Sequence, residues 1–195
     1  MSTPRDVAVV VGSLRKESFT RKMAKALAAL APPSLALEIV EIGQLPLYNQ
    51  DDEASPPASF TAFRTRIRKA DAVLFATPEY NRSVPGCLKN AIDVGSRPYG
   101  QSAWNGKPGG VVSVSPGAIG AFGANQHLRQ SLVFLDIPVL QQPEAYVGNA
   151  AKLFDASGAL IDDSVRDFLK KYIEAYALWV ERILAKLPES GGAKG

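Results

Sequence analysis

The segment Gly12-Ser13-Leu14-Arg15-Lys16-Glu17-Ser18-Phe19-Thr20 joins a run of valines to an amphipathic stretch. A turn between a buried strand and a helix gathers free backbone N–H groups at the positive end of the helix dipole, which suits a phosphate. Ser13, Ser18 and Thr20 add hydroxyl donors, and the planar guanidinium of Arg15 can grip phosphate oxygens in pairs. The segment lacks the Gly-Lys-Ser/Thr of a Walker A loop and the second and third glycines of a dinucleotide fingerprint. A terminal phosphate monoester therefore fits it better than a triphosphate or a pyrophosphate. A second segment, Thr77-Pro78-Glu79-Tyr80-Asn81-Arg82-Ser83-Val84-Pro85, is stiffened by its prolines. Tyr80 offers a flat surface, and Asn81 with the backbone offers donors and acceptors, a mixture that suits a flavin ring and its pyrimidine edge. A third, Ser115-Pro116-Gly117-Ala118-Ile119-Gly120, is rich in small residues that let a backbone approach a flat ligand closely. Each segment also has a plainer use. Ser18 can simply cap a helix, Pro85 can open one, and the glycine spacing of the third matches no nucleotide fingerprint.

The elements that must hold these segments are legible as periodicities. Val7 to Val11 is a continuous apolar run, the habit of a strand buried on both faces of a parallel sheet. A helix is expected over 18–30, a strand over 35–42, a long connection over 45–57 and a helix over 59–70. That second helix turns Phe60, Phe63 and Ile67 inward, and Arg64, Arg66, Arg68 and Lys69 read as its solvated face. Further strands are expected over 72–76 and 109–115 and within 137–147, the last broken by Pro143. Helices are expected over 86–94, 121–135 and 163–187, the last with a sustained 3.6-residue apolar period. Five strands alternating with helices predict an α/β fold, a parallel sheet in the order 2-1-3-4-5 between two helical layers. In such sheets ligands bind beyond the carboxyl ends of the strands where the order reverses, and all three segments leave those ends. Residues 1–188 are expected to form one domain, with 189–195 a disordered tail.

Composition narrows the chemistry. One cysteine, Cys87, makes neither an internal disulfide nor a multi-cysteine zinc site, and one histidine, His127, rules out a site with two His ligands, so no metal is expected. Cys87 reads as a packed helix residue and His127 as a capping or packing residue with which no nearby serine or cysteine forms a credible triad. The net charge of +3 argues neither for nor against nucleic acid, and no nucleic-acid partner is expected. No apolar run reaches the roughly 18 residues a membrane span needs, and the polar N-terminus does not read as a signal peptide; a cytoplasmic location is expected.

Taken together, Gly12-Ser13-Leu14-Arg15-Lys16-Glu17-Ser18, Thr77-Pro78-Glu79-Tyr80-Asn81, Ser83-Val84-Pro85-Gly86, Leu88-Lys89-Asn90-Ala91-Ile92-Asp93 and His127-Leu128-Arg129-Gln130 resemble the NADPH-dependent FMN reductase family, which is flavodoxin-like, and within it the bacterial quinone and chromate reductases. The resemblance runs from about Val7 to Val147. It implies FMN as cofactor and NADPH or NADH as cosubstrate. Electrons would pass to quinones or to other small acceptors such as azo compounds, free flavin or chromate. It implies that Ser13, Arg15, Ser18 and Thr20, with the intervening Phe19, hold the FMN phosphate. Pro78, Glu79, Tyr80 and Asn81 would line the isoalloxazine, and Ser115 with its neighbour Gly117 would touch the far side of the ring. It further implies a homodimer or homotetramer built on the helices flanking the flavin. The family often has Asn where Thr20 stands, and the role of Arg82 does not carry over. Because the flavin supplies the chemistry, no catalytic side chain is assigned. A flavodoxin-like electron carrier would share the fold and the cofactor, but such carriers resemble one another in strong acidity and an Arg-free phosphate loop, unlike a chain of charge +3 with Arg15.

Overall fold

The computed structural model describes residues 3–185. Five strands, β1 (Arg5–Val11), β2 (Leu35–Val40), β3 (Ala72–Thr77), β4 (Gly109–Val114) and β5 (Ala145–Val147), form one sheet. Every pairing is parallel and the order is β2-β1-β3-β4-β5, as the alternating pattern predicts. The helices are α1 (Phe19–Leu30), α2 (Ala58–Lys69), α3 (Gly86–Gly95), α4 (Phe122–Phe134) and α5 (Asp163–Leu184). The expected end of the last helix at 187 and the expected tail lie outside the described residues.

Alternation along the central strands builds two cores. Val7, Val9, Val11, Leu74 and Ala76 face α1 and α5. Ala8, Val10, Val73 and Phe75 face α2, α3 and α4. With both faces covered, β1 and β3 have no polar side, which is why they read as unbroken apolar runs. Pro143 separates Ala145–Val147 from Val139, whose one bridge to Gly109 extends the same edge. Proline donates nothing to a ladder, so the edge strand breaks there.

Two features depart from the periodicity. Arg64 is not on a solvated face: it is 4% exposed, and its Nε donates to Val94 O at 2.8 Å, tying α2 to the end of α3. Arg66 is engaged as well, by Asp6 of β1 and Glu38 of β2. The second departure is Trp104, from the loop before β4. It is fully buried, donates Nε1–H to Ile92 O at 3.0 Å, and packs against Phe63 and Phe75 with ring centroids 5.9 and 5.6 Å away. The ring fits only because residue 95 is glycine; a Cβ there would stand 2.5 Å from Trp104 Cε2 and Nε1. Gly95→Ala is therefore expected to destabilise the fold by about 1–3 kcal/mol through overpacking, read as a lower urea midpoint with an unchanged slope.

Candidate active site at the carboxyl ends of β1, β3 and β4

The last rung between β1 and β3 is Gly12 N donating to Ala76 O at 2.8 Å. Beyond it the chain enters the first segment. Ser18 is the N-cap of α1: its Oγ accepts from Arg21 N at 3.2 Å, and its carbonyl accepts from Lys22 N at 3.0 Å. The amides of Phe19 and Thr20 have no acceptor among the described residues. Ser13 and Thr20 are buried as residues, and Arg15 and Lys16 are exposed. Neither Arg15 nor Lys16 is in an ion pair among the described residues, whereas Arg21 is held by Glu41 at 2.8 and 2.6 Å. The Arg21 hydrogen bond keeps the Glu41 carboxyl below its ordinary range, so that pair is fully charged near neutrality. What remains for an incoming anion is a cap with two free N–H groups beside the uncommitted Arg15.

The second segment makes a tight turn. Tyr80 N donates to Ser83 O at 3.1 Å and Ser83 N to Tyr80 O at 3.0 Å, with Asn81 and Arg82 both left-handed at φ 51° and 64°. Two successive left-handed residues define a type I′ turn. The turn presents Tyr80 outward, 52% exposed. Glu79 points the other way. Its Oε2 accepts from Ala124 N at 3.0 Å, and its Oε1 lies 3.6 Å from Arg82 Nη1. Helix α4 has no side-chain cap of its own, because the residue before it, Ala121, is left-handed and carries no acceptor. Glu79 supplies that cap from 45 residues away. The approach is close: a Cβ on Gly123 would stand 2.9 Å from Glu79 Oε2 and from Arg82 O.

The third segment is anchored from below. Ser113 Oγ donates to Gly120 O at 2.7 Å, Asn125 Nδ2 to Ser113 Oγ at 3.1 Å, and Arg129 Nε to Asn125 Oδ1 at 2.9 Å. Ser115 Oγ donates to Gly117 O at 3.0 Å, and Asn149 N donates to the same carbonyl at 3.2 Å. Residues 116–119 stay exposed on top of this support.

A family model described as NADPH-dependent FMN reductase matches residues 5–152. The chain belongs to that family. It is 68% identical over 182 residues to a quinone reductase of Pseudomonas putida, covering 93% of this chain and 97% of the relative. It is 48% identical to a 2-hydroxy-1,4-benzoquinone reductase of a Burkholderia species, covering 89% of this chain and 95% of that one. Among solved structures it is similar to FerB, a flavoenzyme NAD(P)H:(acceptor) oxidoreductase from Paracoccus denitrificans. The TM-score is 0.86 at 44% identity, over 91% of this chain and 98% of that one.

The residues present suit the FMN of this family. Among the described residues the first segment has unpaired amides and an unpaired arginine, which suit a phosphate, and the second has an exposed tyrosine in a rigid turn, which suits a ring. Of the residues singled out by sequence, Ser13, Arg15, Ser18, Phe19 and Thr20 lie together in the first segment. Pro78, Glu79, Tyr80 and Asn81 lie in the second, and Ser115 and Gly117 in the third. The glutamate ties the second segment to the first turn of α4 by its side chain rather than facing the shelf that Tyr80 opens. Cys87 is half-buried in the first turn of α3, where burial pushes its thiol up and makes it a poor nucleophile. Sequence spacing missed one pair. Ser83 Oγ lies 2.9 Å from His127 Nδ1, so a serine does stand beside the histidine, 44 residues away in the chain. Among the described residues no carboxylate joins them, so the pair is not a triad. Glu79→Ala removes the cap of α4 and is expected to cost about 1 kcal/mol of stability in urea unfolding of the FMN-free protein. Glu79→Gln keeps an acceptor oxygen and should cost less.

Proposed function

We infer that this chain is an FMN-dependent NAD(P)H oxidoreductase whose acceptors are quinones. The observation that carries the reading is the meeting, where the sheet order reverses, of a helix cap with free amides and a shelf made by the Tyr80–Ser83 turn. The quinone class comes from the two relatives named as quinone reductases. The carrier alternative finds no support in those relatives, each of which is named as a reductase.

In this reading the amides of Phe19 and Thr20, the hydroxyls of Ser13, Ser18 and Thr20 and the guanidinium of Arg15 hold the phosphate. Pro78, Tyr80 and Asn81 wall the ring, Glu79 fixes the position of that wall against α4, and Ser115 and Gly117 approach the ring from the β4 side. When bound, the flavin accepts a hydride from the nicotinamide and passes electrons on to the acceptor. The shelf is open on one side, with Tyr80, Ile119 and Phe122 all exposed. A second copy of the chain closes it, giving the homodimer or homotetramer, and the enzyme works in the cytoplasm, where its reduced nicotinamide is made.

The test is direct. FMN rather than FAD should co-purify at about one per chain, and the protein should scatter light as a dimer or tetramer. NADH or NADPH and tetramethyl-1,4-benzoquinone should give parallel double-reciprocal plots, because both substrates stack on the one open face. A colourless protein with no flavin affinity, or one that holds flavin yet oxidises neither nucleotide, would sink the assignment. The phosphate clamp is tested separately. A charge-assisted hydrogen bond contributes roughly 1.5–3 kcal/mol, so Arg15→Ala should weaken FMN binding on the order of 10- to 100-fold. Lys16→Ala should change it much less, and equal effects would mean that diffuse positive charge holds the phosphate.

A further inference from the structure

We propose that His127 is the proton donor to the acceptor's carbonyl oxygen, and that Ser83 is the positioning residue that aims it. This rests on the proposed quinone reduction. The two residues lie 2.9 Å apart, Oγ to Nδ1. Ser83 closes the turn that presents Tyr80. His127 stands one helical turn beyond Ala124, the residue whose amide Glu79 caps. The first turn of α4 touches the Tyr80–Ser83 turn so closely that Gly123 has no room for a Cβ. The imidazole and the flat wall thus belong to one rigid unit. His127 is itself exposed, so its ring is open to a bound acceptor and to water.

A quinone that takes a hydride from the reduced cofactor gains two electrons and one proton's worth of hydrogen, and becomes a hydroquinone anion. Its oxygen then takes the proton on Nε2 of the His127 imidazolium, giving the neutral hydroquinone and a neutral imidazole. Nδ1–H keeps donating to Ser83 Oγ throughout, which leaves Nε2 as the atom that exchanges protons. Water restores the proton to Nε2 before the next turnover. Histidine suits this task because its two ring nitrogens serve separately, one held in a hydrogen bond while the other exchanges a proton. The charged residues of the turn, Glu79 and Arg82, face each other at 3.6 Å, and the residues one helical turn from His127, Gly123, Ala124, Gln130 and Ser131, are uncharged.

His127 is the single histidine of the chain, so its imidazole signals are unambiguous. In the 15N-labelled, FMN-loaded protein, the neutral ring is expected as the Nδ1–H tautomer, and Ser83→Ala should convert it to the commoner Nε2–H form. Tetramethyl-1,4-benzoquinone added to the oxidised protein should shift the Nε2 signal. In rapid mixing, His127→Gln should slow reoxidation of the reduced protein by that quinone on the order of 100-fold, the low end of what a positioned proton donor supplies. Reoxidation by ferricyanide, which takes electrons and no proton, should keep its wild-type rate. Equal slowing with both acceptors, no slowing with the quinone, or an unmoved Nε2 signal would each overturn the proposal. Reducing the protein with dithionite keeps these measurements independent of the nicotinamide. A protein that NADH and NADPH both fail to reduce would count against the proposed function and still leave His127 decided.

Discussion

Gly12 N donating to Ala76 O is the last backbone hydrogen bond along the β1–β3 edge, and everything in the site follows from what happens after it. The two strands are neighbours, but α1 packs on one face of the sheet and α3 on the other. The chain must therefore part at this point, and the parting leaves a crevice between adjacent strand ends. Gly12 keeps the crevice tight. A Cβ there would crowd Leu88 at 3.0 Å and Pro78 at 3.3 Å, so glycine lets the first segment lie close against the start of the second. One segment then offers backbone amides and the other a rigid turn, which under the proposed function would divide between them the labour of holding a phosphorylated ring.

The division is also electrostatic. Most of the arginines near the sheet are spoken for: Arg5 by Glu181, Arg21 by Glu41, Arg66 by Asp6 and Glu38, and Arg64 by a backbone carbonyl. The exposed ion pairs among these contribute little stability each. Their larger effect here is to leave Arg15 as a cation beside the α1 cap that no carboxylate of the described chain neutralises. A net charge of +3 gave no hint of this, because it does not say which charges are paired.

Local patterns carried most of the fold. Val7 to Val11 and Ala72 to Thr77 are buried by both helical layers, so their burial is written as unbroken hydrophobicity, and α5 is long enough for its period to be read directly. Arg64 was misread because a helix pattern places every arginine outside, while the end of α3 offers this one a buried carbonyl. Trp104 was silent because it sits in a loop, where no periodicity exists to flag it. The segments of the site were legible for a similar local reason: an N-cap, a Pro-bounded turn and a glycine-rich loop are each a few consecutive residues. The links between them were not. Glu79 to Ala124 and Ser83 to His127 each span more than 40 positions and exist only once α4 is docked.

Those two links explain how the second segment tolerates its backbone. Asn81 and Arg82 are both left-handed, a conformation that costs of order 1–3 kcal/mol at a non-glycine residue and persists only where the surroundings over-determine it. Asn is among the residues that accept it most readily, and Arg is not. The turn is fixed at three points: the paired hydrogen bonds between Tyr80 and Ser83, the Glu79 carboxylate on Ala124, and the Ser83 hydroxyl on His127. The last two reach the same helix one turn apart, so α4 acts as a splint along the strained segment. A splint of this kind keeps Tyr80 outward without burying it. The turn can then stay accessible while the cost of its left-handed backbone is offset by contacts within the chain itself.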